Sequence, residues 1–324
     1  MITPEELARH ISSVTNTLKR GAVVPFLGAG ANLTGGPAAD WRLDGARLPS
    51  GRELARYLAD EFLPPTPNPL QLERVALDIA IDPGEAALYD VLREVFDADY
   101  PPTRLHHLLA RMPETLRGKG WRALDVVVTT NYDDCLERAF HDRGVECHVL
   151  SYIARGEHSG RFAHFAPGGG DAIVIDDPGS YELPEDEEGR LPPTVVKLHG
   201  AVDRIAGEHD SFVITEDHYI EYLAMGDIVP QLPAAIRARL AKSHFLFLGY
   251  SLADWNVRAV LRRLWRAQNG ERKSWSIQLG VDPLQVKAWD QRRVEVIDID
   301  IAEYVNELEA ALDALPTHPG RGSG

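Results

Sequence analysis

Seven short apolar runs punctuate the chain, at Ala22–Leu27, Leu124–Thr129, Glu146–Leu150, Thr194–Leu198, Phe245–Leu248, Ser274–Leu279 and Arg293–Ile299. Most are continuous rather than alternating, the pattern required of parallel strands covered on both faces. Between them, apolar positions recur at helical spacing over 3–19, 51–63, 70–80, 85–96, 103–117, 133–143, 230–242, 254–268 and 301–314. The first of these carries full start signals. Thr3 can cap it, Pro4 suits the first helical position, Glu6 completes a capping box, and Leu7, Ile11, Val14 and Leu18 form its apolar stripe.

Strands alternating with helices predict an α/β fold, a doubly wound, Rossmann-like parallel sheet. Two stretches interrupt it. Residues 51–120 carry four helical patterns and no convincing strand, which predicts a helical module inserted into a sheet domain made of 1–50 and 121–315. Residues 151–193 are rich in glycine, proline and acid, including Gly168–Gly170 and Glu185–Glu188, and read as a long loop excursion, mobile or acting as a lid. The tail 316–324 reads as a disordered linker, or as the place where a longer protein was cut.

Charge narrows the partners. A net charge of −15 over 324 residues argues against non-specific nucleic-acid or anionic-membrane binding. Arg258, Arg262, Arg263 and Arg266 stand at helical spacing and read as a solvated face. Two cysteines, Cys135 and Cys147, allow no disulfide framework and no four-cysteine zinc site, and Cys135 reads as a small core residue. His106-His107 and the pair His158/His164 lack carboxylates at ligand spacing, so no metal site is expected. No apolar run approaches the ~18 residues of a membrane span, and a cytoplasmic location is expected.

Four of the strand runs break into small or polar residues, and in an open parallel sheet ligands bind at those carboxyl ends. The first breaks at Gly28-Ala29-Gly30, where bare backbone can approach a pyrophosphate. It is not the dehydrogenase fingerprint, because the third glycine is replaced by Leu33 and the acid some twenty residues on, Glu53, sits in a helical pattern. A P-loop is excluded, since Gly-Lys-Ser/Thr occurs nowhere. The second run ends in Thr129-Thr130-Asn131-Tyr132-Asp133. There an amide can hold a ribose hydroxyl or a water without repelling phosphate, although Asp133 can equally be a plain helix cap. The third ends in His199-Gly200, where an imidazole of near-neutral pKa suits general-base work, against the alternative of a buried core histidine. The fourth ends in Gly249-Tyr250-Ser251-Leu252-Ala253-Asp254, which imitates a nucleophile elbow. That fold needs its acid and histidine after the serine, and only His318 in the tail follows. Ser251 therefore reads as a phosphate or ribose contact, and Asp254 as a helix cap or ribose ligand.

Taken together and in this order, the four motifs resemble the sirtuin-like (SIR2) superfamily, in particular its bacterial branch without zinc. The glycine-alanine-glycine turn of that family matches Gly28–Gly30, with Asn32 where a serine is common. Its threonine-glutamine-asparagine-x-aspartate motif matches Thr129–Asp133 with Thr130 in place of glutamine. Its histidine-glycine motif matches His199-Gly200, and its glycine-threonine-serine motif matches Gly249–Ser251. Leu48–Ala59 and Gly249–Asp254 are similar to stretches of the bacterial branch, and the likeness spans about residues 22–260. The departures are the missing zinc module, a loose counterpart of the proline-aspartate-phenylalanine-arginine segment around Asp40-Trp41-Arg42, and the long separation of Asn131 from His199.

The resemblance implies NAD as substrate, no metal, and hydrolysis to nicotinamide and linear or cyclic ADP-ribose as an NAD-depleting effector of anti-phage defence. It also implies a homo-oligomer or a defence partner such as an ATPase. On it, Gly28, Ala29, Gly30, Asn32, Thr130, Gly249, Ser251 and Asp254 would bind the nucleotide. Asp133 would bind ribose or nicotinamide-side groups. Asn131 would position the nicotinamide ribose and the attacking water, and His199 would orient or deprotonate a ribose hydroxyl or that water. Two rival readings use the same pocket, a non-catalytic NAD or ADP-ribose sensor and an NAD-dependent protein deacylase.

Overall fold

The computed structural model describes residues 2–34, 41–43, 45, 47–65, 70–204, 207, 209–225, 227–250 and 272–321. The expected helix at 254–268 lies outside them, as do Ser251 and Asp254.

All seven expected strands form: β1 (Val23–Leu27), β2 (Val126–Thr129), β3 (His148–Tyr152), β6 (Thr194–Lys197), β7 (His244–Leu248), β8 (Ser274–Gln278) and β9 (Val294–Asp298). The excursion at 151–193 is not only loop. Its start completes β3, and it adds β4 (Phe162–Phe165) and β5 (Ile173–Val174), antiparallel at the sheet edge. The sheet order is β5-β4-β3-β6-β2-β1-β7-β8-β9, and every pairing from β3 to β9 is parallel. With the edge strands β3–β5 set aside, the remaining six run third-second-first-fourth-fifth-sixth in chain order. This is the doubly wound arrangement, and its winding reverses between β1 and β7.

Both faces of the sheet are covered, which explains the continuous apolar runs. In β1, Val23 and Leu27 join a core with Leu18 of α1 (Pro4–Lys19), Leu109 of α5 (Arg104–Gly118), Phe140 of α6 (Cys135–His141) and Leu308 of α10 (Ile301–Asp313). Val24 and Phe26 point the other way, into a core with Tyr222 of α7 (Glu216–Ala224), Leu240 of α8 (Ala234–Ala241) and Trp289 of α9 (Pro283–Asp290). The expected helix start at Thr3 forms as a complete capping box with Glu6.

The inserted module is smaller than its sequence pattern. α2 (Gly51–Phe62), α3 (Leu72–Ile79) and α4 (Glu85–Asp97) build a third core around Leu58, Ile79 and Leu92, whereas α5 belongs to the sheet layer. Two helices, α7 and α9, were not legible, because each buries only one residue along its length, Tyr222 and Trp289. The tail expected to be disordered docks as far as it is described. Trp121 Nε1 donates to Pro316 O at 2.8 Å, and His318 N donates to Lys119 O at 2.8 Å.

Candidate functional site

The carboxyl ends of β6, β2, β1 and β7 stand side by side at the switch point, so the four motifs met separately along the chain converge there. They line a cavity of about 710 Å³ that continues past β8 to the start of α10, within the size range of small-molecule sites. With strands ~4.8 Å apart, its reach from β6 to β8 is about 19 Å, room for a ligand laid across the strand ends. Ala29, Gly30, Asn32, Thr130, Asn131, Asp133, His199 and Gly249 all line it. Gly28 sits directly behind, its carbonyl accepting from Asn131 Nδ2 at 3.1 Å.

The glycines serve a different purpose from the one their pattern suggests. Gly28 N donates to Leu248 O at 3.0 Å and Gly30 N to Gly249 O at 2.9 Å, so these amides are consumed inside the protein. A Cβ at Gly28 would lie 2.7 Å from Gly249 O, and one at Gly30 would lie 2.8 Å from Gly249 Cα. The turns after β1 and β7 therefore interlock backbone on backbone. Gly249 has φ +76°, and a Cβ there would stand 2.1 Å from Ala31 N. Gly249→Ala is accordingly expected to lower the melting temperature and weaken nucleotide binding together, by a few kcal/mol of stability. A thermal melt matching the unsubstituted protein would contradict the interlock.

The Thr129–Asp133 turn is pinned from several sides. Thr129 Oγ1 accepts from Asn131 N at 3.0 Å, and Thr130 Oγ1 and Tyr250 Oη share a hydrogen bond of 2.6 Å. Since Asn131 Nδ2 is held by Gly28 O, the amide plane is fixed with Oδ1 at its other end. Asp133 is buried and both its oxygens are engaged. Oδ2 accepts from Asn32 Nδ2 at 2.7 Å and Oδ1 from Cys135 N at 3.0 Å, so it satisfies the first amide of α6 while lining the cavity beside Asn32. Burial alone would raise its pKa, but the Lys197 ammonium, His106, Asn32 and the Cys135 amide together hold it below the ordinary carboxylate range. Lys197, 3% exposed, lies beneath, bonded to Asp133 O and 2.8 Å from Glu137 Oε1. Against the effect of burial, the Glu137 and Asp133 carboxylates raise its pKa, so it ties the end of β6 to the turn after β2 as a cation. Cys135 is the core residue its sequence context suggests, with burial pushing its thiol pKa up.

His199 departs from expectation in its protonation. It is buried with its ring edge-to-face against Tyr219 and Tyr222, centroids 5.5 Å away in each case. Burial pushes its pKa down to about 3 rather than leaving it near neutral. The ring is a neutral imidazole at physiological pH. Its backbone is equally constrained, because Gly200 has φ +84° and a Cβ there would lie 2.1 Å from Ser211 O.

Among the described residues lining the cavity, two buried side-chain polar atoms have no hydrogen-bond partner, His199 Nε2 and Asn32 Oδ1. Unpartnered buried polar atoms cost free energy and invite polar groups of a ligand, Asn32 Oδ1 as an acceptor and His199 Nε2 as donor or acceptor according to its tautomer. Several further polar lining residues escaped the sequence reading: Arg52 of α2, Glu73 of α3, Tyr219 of α7, Gln278 at the end of β8, and Asp300, whose Oδ1 caps α10 by accepting from Ala302 N at 2.8 Å. Gln278 and Asp300 carried a usable signal, being polar residues at strand carboxyl ends. Arg52 and Tyr219 carried none, since they arrive from helices outside the βα alternation. No residue of 151–193 lines the cavity, so the lid reading finds no support there. Among the described residues no group of three His, Cys, Asp or Glu is placed to hold a metal ion, and no helix is long and apolar enough to cross a membrane.

A family model described as SIR2-like domain matches residues 125–297. Defense-associated sirtuin 2 of Bacillus subtilis is 23% identical over 319 residues, which cover 94% of this chain and 26% of that protein. The chain thus spans about a quarter of the length of that relative. A solved chain from work on the structural basis for the mechanism and regulation of Sir2 enzymes aligns with a TM-score of 0.44 at 13% identity, over 94% of this chain and 96% of that one.

Proposed function

The chain belongs to the SIR2-like domain family, and from that premise we propose that it binds NAD across the β1–β7 switch point and hydrolyses the nicotinamide–ribose bond. The observation that carries the proposal is the pairing of a switch-point cavity with two unpartnered buried polar atoms among its lining residues, one of them on the neutral imidazole of His199. Doubly wound sheets bind dinucleotides across this crevice.

The chemistry fits a site of this charge. The pyridinium nitrogen of NAD is cationic, and nicotinamide leaves as a neutral molecule when the bond to ribose C1′ breaks with both electrons going to that nitrogen. The positive charge passes to an oxocarbenium-like ribose, and water adds at C1′ and releases a proton. A protonated histidine beside that cation would oppose the reaction, whereas His199, held neutral by burial, accepts a hydrogen bond from a ribose hydroxyl or from the water. Asn131, its amide plane fixed by Gly28 O, positions the nicotinamide ribose and the water. Asp133, anionic and extended by Asn32, faces the nicotinamide side. Water at C1′ gives linear ADP-ribose, and capture of the same carbon by the adenine ring of the same molecule in place of water would give the cyclic product.

The name of the Bacillus subtilis relative supports placing this activity in defence. We assign the chain the role of an NAD-depleting effector of anti-phage defence that works in the cytoplasm as part of a larger assembly, a homo-oligomer or a complex with a partner such as an ATPase. The test against a deacylase is the peptide requirement. NAD cleavage is expected to proceed without acylated peptide, and adding acetyl-lysine peptide is expected neither to accelerate it nor to yield an acetylated ADP-ribose. Turnover that depends on the peptide would overturn the hydrolase reading in favour of deacylation, and NAD binding without any turnover would overturn it in favour of a sensor.

A further inference from the structure

We propose that Arg52 is the phosphate-binding residue of this cavity, an inference that rests on the NAD reading above. The diphosphate of a dinucleotide brings two negative charges into a chain whose own net charge is −15. The cavity wall adds to the difficulty, carrying the carboxylates of Glu73, Asp133 and Asp300. The usual remedy, a glycine turn offering its amides, is largely spent, because Gly28 N and Gly30 N already donate to Leu248 O and Gly249 O. Lys197 is committed to Glu137 and to Asp133 O beneath the site and does not line the cavity.

Arg52 is the one Lys or Arg among the described lining residues. It stands on the first turn of α2, is exposed, and has no ion pair with any described residue. Its neighbour Glu53 is not available to it, for that carboxylate is taken by Arg47 Nη2 at 2.6 Å and by the Ser50 capping box. The Arg47 guanidinium holds the Glu53 carboxyl well below the usual range, so this anchor stays charged. The backbone that carries Arg52 is therefore fixed, while no described residue pairs with its guanidinium. A planar fork of donors suits bidentate contact with phosphate oxygens. On this assignment the inserted helical module supplies a cation that the other described lining residues lack.

The experiment is calorimetric binding of ADP-ribose to the unsubstituted protein, Arg52→Gln and Arg52→Lys, at low and high salt. Arg52→Gln is expected to weaken binding about 10-fold or more at low salt, with Arg52→Lys recovering part of the loss and the gap narrowing as salt rises. An exposed side chain predicts unchanged melting temperatures, so a folding defect does not obscure the result. If the unsubstituted protein binds ADP-ribose and Arg52→Gln binds it equally well at low salt, the assignment of Arg52 is overturned and the NAD reading stands. If the unsubstituted protein binds no ADP-ribose, the reading beneath it falls as well.

Discussion

Replacing His199 by alanine is expected to slow NAD cleavage by about 10²- to 10⁴-fold, and replacing Asn131 by alanine to slow it comparably. The two residues contribute differently. His199 lines the cavity with a buried, unpartnered Nε2, and its loss removes the proposed contact with the ribose hydroxyl or the water. Asn131 is half-buried with its amide plane set by Gly28 O, so its truncation removes an aligned contact with little change in packing. Nicotinamide release measured beside thermal melts separates lost chemistry from lost structure, and an Asn131→Ala protein with full turnover would show the assignment to be wrong. The pH profile sharpens the point. Because burial holds His199 at about 3, the rate should show no inflection from this group between pH 5 and 8. An inflection near 6.5 that disappears in His199→Ala would contradict the neutral-imidazole account.

The second large effect is acid sensitivity of the fold itself. Burial lowers His10, His106 and His164 to about 4 and His199 to about 3, against an ordinary value near 6.5 in the unfolded chain. A base whose folded pKa is depressed binds its proton more readily when unfolded. Stability is therefore intact above about pH 6.5 and falls as pH drops, until the folded value is reached. Each such group costs about 1.4 kcal/mol per pH unit through that window. At pH 5 each has cost about 2 kcal/mol, and four together approach the whole stability of an ordinary domain. Asp134 and Glu137, whose carboxyls burial raises, act in the opposite sense from their ordinary range upward. Chemical denaturation at pH 7, 6 and 5 should show the midpoint falling steeply with pH. A midpoint unchanged down to pH 5 would mean these imidazoles are not buried neutral.

Much of this architecture was legible because its physics is local. A strand covered on both faces must be apolar throughout, so β1, β2, β6 and β7 announce themselves, and the residues just beyond them mark the strand ends that frame the cavity. What escaped was set by distant neighbours. The near-neutral imidazole expected of His199 is displaced by Tyr219 and Tyr222, which arrive from α7, a helix whose weak amphipathicity hides it. The glycines at 28 and 30 were readable as places of close approach, but what approaches is the turn at Gly249 of the same backbone. Arg52 stands in a helical pattern that holds several charges, and only the tertiary arrangement of α2 brings it to the cavity wall. The edge strands β4 and β5 escaped because glycine and proline dominate the composition around them, and β5 is only two residues long.

The most direct test of the central claim is nicotinamide release when the purified chain is incubated with NAD alone, with Asn131→Ala and His199→Ala in parallel. The account predicts stoichiometric nicotinamide and ADP-ribose from the unsubstituted protein and almost none from either variant, with all three folded. Equal release from all three, or intact NAD throughout while calorimetry shows it bound, would contradict hydrolysis at this site.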